Sequence, residues 1–371
     1  DNHAAQLVDV AVLSNFNSEP ITALDETTRS ALESIGFKAT GERMIRGAIV
    51  DPQPREIAER ALFHKHHLHQ ATRHENEILA LKKVTEIRDD FALRGRCELY
   101  RVNLKSMASA HRLHQGINLR GHQVWASYEH FQDILAIRNE PADDELWDIV
   151  EFFSTNSDPN LFKERHALSQ AEFRKLVQPL IRSGHIVQDF RGGFRTVQLR
   201  PNVDRVELRR EFIRKLVEQY PVITLRQLTQ LAGTSFKPEE LKAVLNVFEE
   251  DETLIKGFLI EDFHQVCWGR KELLEEARSI PSIRDFVLPP SDPIAPYFAD
   301  IMKERFGFGS AYLVFRNAEP VAAFKANTRN KIIDVKDYEG SEKAWRIVKE
   351  FAWEHQMPLQ TDLRIGGKKL Q

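Results

Sequence analysis

The chain has 371 residues, of which 42% are hydrophobic and 29% charged, and its formal net charge is −3. These values exclude a wholly disordered chain, a collagen-like fibre and a coiled-coil rod. No apolar run approaches the roughly 18 residues that cross a bilayer, so no membrane partner is expected. Two cysteines without CxxC spacing, Cys97 and Cys267, favour a reducing, intracellular location in the cytoplasm, nucleoid or nucleus. The chain begins Asp1-Asn2-His3 without an initiator methionine, which indicates an excised part of a longer protein.

Charge is distributed unevenly along the chain. Residues 163–215 carry 13 Lys and Arg against 6 Asp and Glu, whereas residues 239–262 carry 2 against 8. A basic stretch beside an acidic one favours one face directed at a polyanion and another directed at water or a partner. Ordinary solvated helix surfaces would give the same counts.

The first 140 residues are predicted to be a mixed, mainly helical region. Apolar spacing and a stop at Gly36 indicate a helix over 20–39, and a longer apolar pattern indicates a second helix over 54–94, either continuous or interrupted. Residues 122–126 alternate like a short strand.

Residues 141–202 follow the order of a winged helix. An apolar stripe predicts a helix over 143–153, and Ser169 with Glu172 forms a capping box for a second helix that stops at Gly184. Two alternating runs around Gly192-Gly193 then predict a hairpin with a basic tip.

The same order recurs over residues 203–280. Helices are predicted over 206–220, from Leu225 to Gly233 with Thr224 as N-cap, and over 237–248. An alternating hairpin over 253–268 follows, turning around Glu261-Asp262. Two copies of one plan about 65 residues apart indicate tandem winged helices of the helix-turn-helix class.

Residues 281–371 form a third type of segment. A proline cluster precedes three predicted strands, over 311–315, 321–325 and 331–335, and a final helix over 341–355. The predicted fold class is therefore α+β: tandem winged-helix domains followed by a small β-rich C-terminal module. The predicted domains are 1–140, 141–202, 203–280 and 281–371.

Motifs for metal or nucleotide chemistry are weak in this sequence. Histidines at 64, 66, 67, 69 and 74 are candidate metal ligands. Because the segment has no HExxH motif and no suitably spaced carboxylate, a solvated helix surface explains these histidines better. Neither GxxxxGK[ST], GxGxxG nor GxSxG occurs. We therefore predict no metal, no cofactor and no ATPase activity in this chain, and buried roles for both cysteines.

Nucleic-acid contact is the remaining prediction. In a winged helix, one helix enters the major groove while the wing contacts backbone or minor groove, and arginine suits phosphate oxygens. The predicted DNA-binding residues are Gln170, Arg174, Lys175, Gln178, Arg182, Arg191, Arg195, Lys237 and Lys242. Phe190, Phe194 and Trp268 could stack on bases or belong to the core. Because the second copy has few cations and an acidic hairpin, we expect the first copy to hold the DNA and the second to act as a spacer or protein contact.

A family resemblance is carried by five segments from the second copy onward: Asp251–Leu259, His264–Trp268, Lys271–Arg278, Pro290–Tyr297 and Ala311–Asn317. They resemble the winged-helix strand, hairpin, following short helix, Asp-Pro element and C-terminal strand of the large helicase-related family. The similarity covers residues 143–371, as a pattern of order and spacing. It implies a module that grips single-stranded or forked DNA in repair, with a helicase motor in the same or another chain.

The same modules are similar to winged-helix DNA glycosylases, which remove crosslinked or alkylated bases. That resemblance implies a Gln-x-Gln or Gln-x-Asp pair near the N-terminal part, but Gln70 and Gln115 each lack the partner. The leading hypothesis is therefore a DNA-binding module of helicase-associated type. A DNA glycosylase, with Asp292 as its candidate catalytic carboxylate, and a protein-interaction scaffold are the alternatives.

Overall fold

The structure is a computed structural model, and it describes residues 30, 37–40, 43–46, 53–66, 68, 86–89, 91–92, 104–261, 263, 265–280, 283–328, 332–365 and 368–369. Helices and strands alternate through these residues in several small sheets, which confirms the α+β class. None of the helices in this part of the chain has both the length and the hydropathy of a membrane-spanning segment.

The N-terminal region differs from the sequence-based prediction in two places. Phe37–Ala39 belong to a strand rather than a helix, since β1 (Phe37–Thr40) pairs antiparallel with β2 (Arg43–Arg46). The second predicted helix ends early: α1 spans Arg55–Lys65, and Ile87 forms a β-bridge with Trp125. The apolar spacing over 54–94 therefore combines a helix and an extended segment, so a continuous helix over this range is wrong. Ser30 is helical, in agreement with the first predicted helix, and the other residues of 20–36 and most of 67–94 lie outside the described residues.

A four-stranded sheet joins the N-terminal region to the first winged-helix copy. Helix α2 (Leu104–His111) leads into β3 (His114–Ile117) and β4 (Gln123–Ala126), and α3 (Tyr128–Arg138) follows. The sheet order is β4-β3-β5-β6, in which β5 (Ile186–Gln188) and β6 (Phe194–Thr196) form the predicted hairpin. Pairing of β3 with β5 crosses the predicted boundary at residue 140.

The first copy has the predicted order of elements. A 3₁₀ turn over Asp144–Leu146 precedes α4 (Trp147–Thr155), then α5 (Pro159–Arg165), which the sequence reading missed, and α6 (Gln170–Ser183). Ser169 and Glu172 form the predicted capping box of α6, and Gly184 ends the helix in the left-handed conformation.

The second copy also follows its prediction. Its elements are α7 (Arg205–Val217), β7 (Val222–Thr224), α8 (Leu225–Ala232), α9 (Pro238–Glu250), β8 (Ile255–Gly257) and β9 (Cys267–Gly269). Thr224 caps α8 with Gln227 as its capping-box partner, and the sheet order is β7-β9-β8. The hairpin is shorter than predicted, because only three residues pair on each side.

The C-terminal module is a five-stranded sheet covered by one helix. After α10 (Lys271–Ala277), the strands are β10 (Phe286–Leu288), β11 (Tyr312–Arg316), β12 (Glu319–Asn327), β13 (Ile333–Gly340) and β14 (Leu359–Thr361), in that sheet order. Between β10 and β11 lie a 3₁₀ turn over Ala295–Phe298 and α11 (Ala299–Phe306), and α12 spans Glu342–Glu354. A short pair, β15 (Arg364–Ile365) and β16 (Lys368–Lys369), completes the described chain.

One hydrophobic core links the predicted domains. Phe63 of α1 is fully buried, and its ring centroid lies 4.9 Å from that of Phe315 and 5.0 Å from that of Phe286. The same cluster of buried residues includes Val124 of β4 and Ile213 of α7. Burial of apolar surface therefore fixes the two helical copies and the C-terminal module against each other. The positions of the domain boundaries stay a prediction.

Helix α1, which contributes Phe63 to this core, also carries a buried carboxyl group, that of Glu59. Glu59 of α1 is 3% exposed, and its Oε1 has no hydrogen-bond partner among the described residues. Burial raises the pKa of Glu59 to about 8, although Arg55 and Arg305 act in the opposite direction. Glu59 therefore keeps its proton at pH values where the same group in the unfolded chain is ionised.

This difference predicts a pH-dependent free energy of unfolding. The folded state retains a proton that the unfolded state loses above about pH 4.5, so the Glu59 contribution falls with rising pH and levels off above about pH 8. Glu59→Gln, which cannot ionise, should gain roughly 3 to 5 kcal/mol relative to wild type between pH 4 and pH 9. Urea unfolding of both proteins across this range measures the difference. A difference independent of pH would contradict the prediction.

Candidate nucleic-acid interface

An extended segment around Ile87 carries a glutamate, Glu86, whose carboxylate is held by hydrogen bonds and positive charge. Ile87 adds this segment to β4, since Ile87 N donates to Trp125 O at 3.1 Å and Trp125 N donates to Ile87 O at 2.8 Å. Ile87 is buried against Trp125 and Leu104. Because successive side chains on extended backbone alternate, Glu86 and Arg88 lie on the opposite side of this segment from Ile87.

Three side chains hold Glu86. Asn118 Nδ2 donates to Oε2 at 2.5 Å, Arg120 Nη2 lies 3.4 Å from the same oxygen, and His130 Nε2 lies 3.0 Å from Oε1. Burial alone would raise the pKa of Glu86, but the hydrogen bond to His130 and the charges of His130 and Arg120 outweigh it and lower the pKa to about 2. Glu86 is therefore a fixed anion at neutral pH, with 14% of its side-chain surface exposed.

The turn between β3 and β4 supplies two of these partners. Asn118 Oδ1 accepts from the backbone N of Arg120 at 3.0 Å and of His122 at 2.9 Å, and Gly121 has φ +77°. Such side-chain to backbone bonds define an Asx-type turn. Asn118 therefore shapes the turn and binds the carboxylate with the same amide group.

The second copy packs directly on this turn. Gly233, which ends α8, has φ +79°, and a Cβ at this position would lie 2.7 Å from Leu119 O. Only glycine accepts both the conformation and the close approach. This contact fixes the position of Arg120 and His122 relative to the second copy.

Arg120, which contacts Glu86, also lines a cleft with several other cationic side chains. One cavity of about 210 Å³ is bordered by Arg88, Arg120 and His122, and a second of about 920 Å³ is bordered by Arg120, His122, Arg138 and Arg182. The two cavities are neighbours, since both are lined by Arg120, His122, Pro296 and Ala299. We call the surface of Arg88, Arg120, His122, Arg138 and Arg182 the cationic cleft.

The closeness of the cationic side chains in this cleft affects the pKa of His122. Burial lowers the pKa of His122, and the charges of Arg88 and Arg120 lower it further. Two carboxylates also border the cavities, Asp292 in the smaller and Glu140 in the larger. A phosphate group would relieve the repulsion among the cations, which is the charge pattern of a polyanion site.

Two residues of the predicted recognition helix lie in the cationic cleft. Gln178 and Arg182, on α6, line its larger cavity. Arg174 lies one turn before Gln178 on the same side of α6, because residues four apart share a face. Lys175 and Gln170 are exposed near the start of the helix, and Gln170 Oε1 accepts from Lys163 Nζ at 2.7 Å.

The first wing carries its two arginines at the surface. Asp189 Oδ1 accepts from the backbone N of Arg191 and of Gly193, both at 2.8 Å, which shapes the tip. The Arg195 guanidinium lies 3.9 Å from the ring centroid of Tyr128, and that of Arg191 lies 5.2 Å from the ring of Phe190. Both arginine side chains are exposed, and each makes a cation–π contact with an aromatic ring.

The aromatic residues proposed to stack on bases have different positions. Phe190 and Phe194 are half-buried and pack against two separate core clusters. Trp268 is 4% exposed and belongs to the main core, which confirms the core alternative and excludes a role in stacking on bases.

Cations of the second copy lie outside the cationic cleft. Lys237 and Lys242 are exposed at the start of α9 and border neither of its cavities. Arg226 pairs with Asp300 at 3.0 Å, and Lys256 pairs with Glu249 at 3.3 Å. The structure thus brings together Gln178 and Arg182 from the prediction and adds Glu86, Arg88, Asn118, Arg120, His122, His130 and Arg138.

Asp292 has a structural task. It is 3% exposed, and its Oδ1 accepts from the backbone N of Ile294 at 3.0 Å, which begins the 3₁₀ turn before α11. Next to it, Ser291 Oγ donates to Asp89 Oδ1 at 2.8 Å and so links this turn to the segment that carries Glu86.

The histidine and cysteine predictions lie mostly outside the described residues. Of the histidines, His66 is buried with Nε2 3.0 Å from Gln219 O, and within the described residues no group of His, Cys, Asp and Glu is arranged to hold a metal ion. Cys267 is buried, as predicted, and burial raises its pKa to about 12. His67, His69, His74 and Cys97 lie outside the described part of the chain.

Comparison with known proteins found a structural similarity and no match to a family model or to a characterised sequence. No family model matches the sequence, and a search of characterised proteins found none similar. Among solved structures, the chain is similar to the Streptomyces sahachiroi DNA glycosylase AlkZ, with a TM-score of 0.59 and 9% identity over 84% of this chain and 100% of that one. At this identity the similarity shows a shared fold alone. The predicted resemblance to the helicase-related family is not supported, and the glycosylase-like fold replaces it.

Proposed function

We propose that this protein is a DNA glycosylase that binds DNA in the cationic cleft and cleaves an N-glycosidic bond beside Glu86. The observation that carries the proposal is the ionised Glu86 carboxylate, which contacts Arg120, a residue that lines both cavities of the cleft. A fixed anion can stabilise the positive charge that develops on the sugar during glycosidic cleavage, and the neighbouring cationic surface suits phosphates. The fold shared with a DNA glycosylase supports the proposal.

The motif that the glycosylase resemblance implies has a counterpart here. Those proteins carry two polar residues around one intervening residue, Gln-x-Gln or Gln-x-Asp. Glu86-Ile87-Arg88 has the same spacing, with glutamate and arginine in the two polar positions. We propose that this segment, rather than Gln70 or Gln115, occupies the motif's place, and that Glu86 rather than Asp292 is the reacting carboxylate.

The proposed reaction needs an anion and a water molecule. The electron pair of the C1′–N bond leaves with the base, and positive charge develops on C1′ and the ring oxygen of the sugar. Glu86 stabilises that charge because its pKa of about 2 keeps it ionised before the bond breaks. An N-alkylated purine carries a positive charge and so leaves as a neutral base; water then adds to C1′ and releases a proton to solvent, which leaves an abasic site.

Reaching the sugar requires a nucleotide outside the base stack. The larger cavity of the cationic cleft, about 920 Å³, lies within the range of small-molecule pockets and admits a nucleotide. Arg88 and Arg120 would hold the flanking phosphates, and Arg182 and the first wing would hold the duplex beyond them. The intracellular location expected from the cysteines fits this role and stays a prediction.

DNA binding should depend on two groups of cations. Arg88→Ala/Arg182→Ala in the cleft and Arg191→Ala/Arg195→Ala in the wing should each weaken binding about tenfold and reduce the salt slope by roughly 2, because each removes two phosphate contacts. Fluorescence anisotropy with single-stranded, duplex and forked DNA across a salt series measures both effects.

Arg214→Ala/Lys215→Ala is the matched control, since both cations pair with Glu211 on α7 and border neither cleft cavity. Equal weakening by the control would reveal general charge attraction instead of a defined site. Absence of binding by wild type at low salt would refute the DNA function altogether.

Base excision should depend on Glu86. Glu86→Gln keeps the size of the side chain but removes its charge, and should lower the single-turnover excision rate about 100-fold or more while DNA affinity changes less than threefold. Duplexes with alkylated purines, followed by alkali cleavage at the abasic site, provide the assay. Because the pKa of Glu86 is about 2, its ionisation should leave the wild-type rate unchanged between pH 5 and pH 8.

Asp292→Asn provides the comparison between the two candidate carboxylates. We expect it to retain most of the rate. Loss of activity in Asp292→Asn but not in Glu86→Gln would assign the reaction to Asp292. Tight DNA binding by wild type without release of any base would favour a DNA-binding module that lacks excision.

A further inference from the structure

A second groove lies on the first copy, away from Glu86. It encloses about 770 Å³ between one face of α4 and the chain that leaves β6, and the end of α3 and the start of α7 close it. Asp144, Trp147 and Glu151 line it from the helical side, and Gln198 and Leu199 from the other. We call this surface, together with Glu140, the acidic groove.

Exposed apolar surface concentrates around the acidic groove. Trp147 is 55% exposed and Leu199 is 49% exposed, and both line it. Val206, which is 62% exposed, follows the lining residue Arg205. Three of the six large hydrophobic side chains that are exposed in the described part of the chain therefore share one location. Such patches mark interaction sites, and tryptophan is the residue most enriched among strong contact points.

The charge of this surface selects the class of partner. Residues 139–151 contain six Asp and Glu and no Lys or Arg. The one cation in the lining, Arg205, donates a hydrogen bond to Asn139 Oδ1 within the groove. Phosphates would be repelled here, whereas a cationic segment would gain long-range attraction.

Backbone groups of Thr196 and Gln198 beside the groove already form hydrogen bonds with side chains of α3. Tyr128 Oη donates to Thr196 O at 2.8 Å and accepts from Gln198 N at 3.0 Å, and Gln132 Nε2 donates to Gln198 O at 2.5 Å. A partner strand therefore cannot pair with residues 196–198 through these groups. The groove must recognise its ligand through side chains.

We propose that the acidic groove is a docking site for a basic segment of another protein, with a bulky apolar side chain inserted beside Trp147 and Leu199. Lysine or arginine side chains of the segment pair with Glu140, Asp144 and Glu151. This contact does not depend on the proposed excision reaction. It leaves the cationic cleft free, apart from Glu140, which borders both surfaces.

Selection from a phage-displayed library of random 16-residue peptides tests the proposal. Full-length wild-type protein serves as bait, and Trp147→Ala/Glu151→Lys removes the peptides that bind elsewhere. Enriched peptides should be net positive with at least one Trp, Phe or Leu. Their affinity, measured by anisotropy of labelled synthetic copies, should fall at least tenfold in Trp147→Ala and in Glu151→Lys. Trp353→Ala, which changes a 77%-exposed tryptophan on α12, should leave it unchanged.

Two results would overturn the proposal. One is the enrichment of acidic or neutral peptides, or of peptides that bind all variants equally. The other is a loss of duplex affinity in Trp147→Ala as large as that in Arg88→Ala/Arg182→Ala, which would make the groove part of the DNA interface. Failure of the excision assay alone would leave the docking site standing, since peptide binding is measured without DNA.

Discussion

A partly buried carboxylate stays ionised only where hydrogen bonds and positive charge replace the water it has lost. Glu86 meets this condition through Asn118, Arg120 and His130. These partners come from the β3–β4 turn and from α3, so the network ties the extended segment at Glu86 to both. Gly233 then holds the same turn against the second copy. The position of the proposed reacting group is therefore determined by the packing of several elements rather than by one motif.

Charge separates the functions that we assign to the surface. The cationic cleft and the first wing present arginines, and the acidic groove presents carboxylates around an exposed tryptophan. Both surfaces belong partly to the first copy and meet at Glu140. Under the proposed function, DNA would be attracted to the cationic cleft and repelled by the acidic groove, which would restrict its orientation on the protein. The sequence predicted that the acidic second copy would contact a protein partner. We instead propose that contact at the acidic groove of the first copy.

Local signals in the sequence predicted much of the fold. The capping box at Ser169, the N-cap at Thr224, the Gly192-Gly193 hairpin and the strands β11 and β12 are set by neighbouring residues, and the structure has them where they were expected. Strand β13 was predicted over 331–335 and instead spans Ile333–Gly340. The segment around Ile87 could not be predicted in this way, because its pairing partner Trp125 lies 38 positions away and its apolar spacing also suits a helix. Arg120 and His122 were not among the predicted DNA-binding residues for the same reason. Asn118, followed by a glycine three residues later, was the one local sign of a turn there. Order and spacing of winged helices are common to unrelated activities, which explains why the helicase resemblance was misleading.

Hydrogen–deuterium exchange of the full chain, with and without duplex DNA that contains an abasic-site analogue, tests the central claim most directly. If DNA occupies the cationic cleft next to Glu86, amide exchange should slow in the β3–β4 turn, residues 118–122, and in the second half of α6, residues 178–184. Helix α9, which carries Lys237 and Lys242 near its start, should exchange at an unchanged rate. Protection confined to α9 and the second hairpin, with none in residues 118–122, would contradict the account.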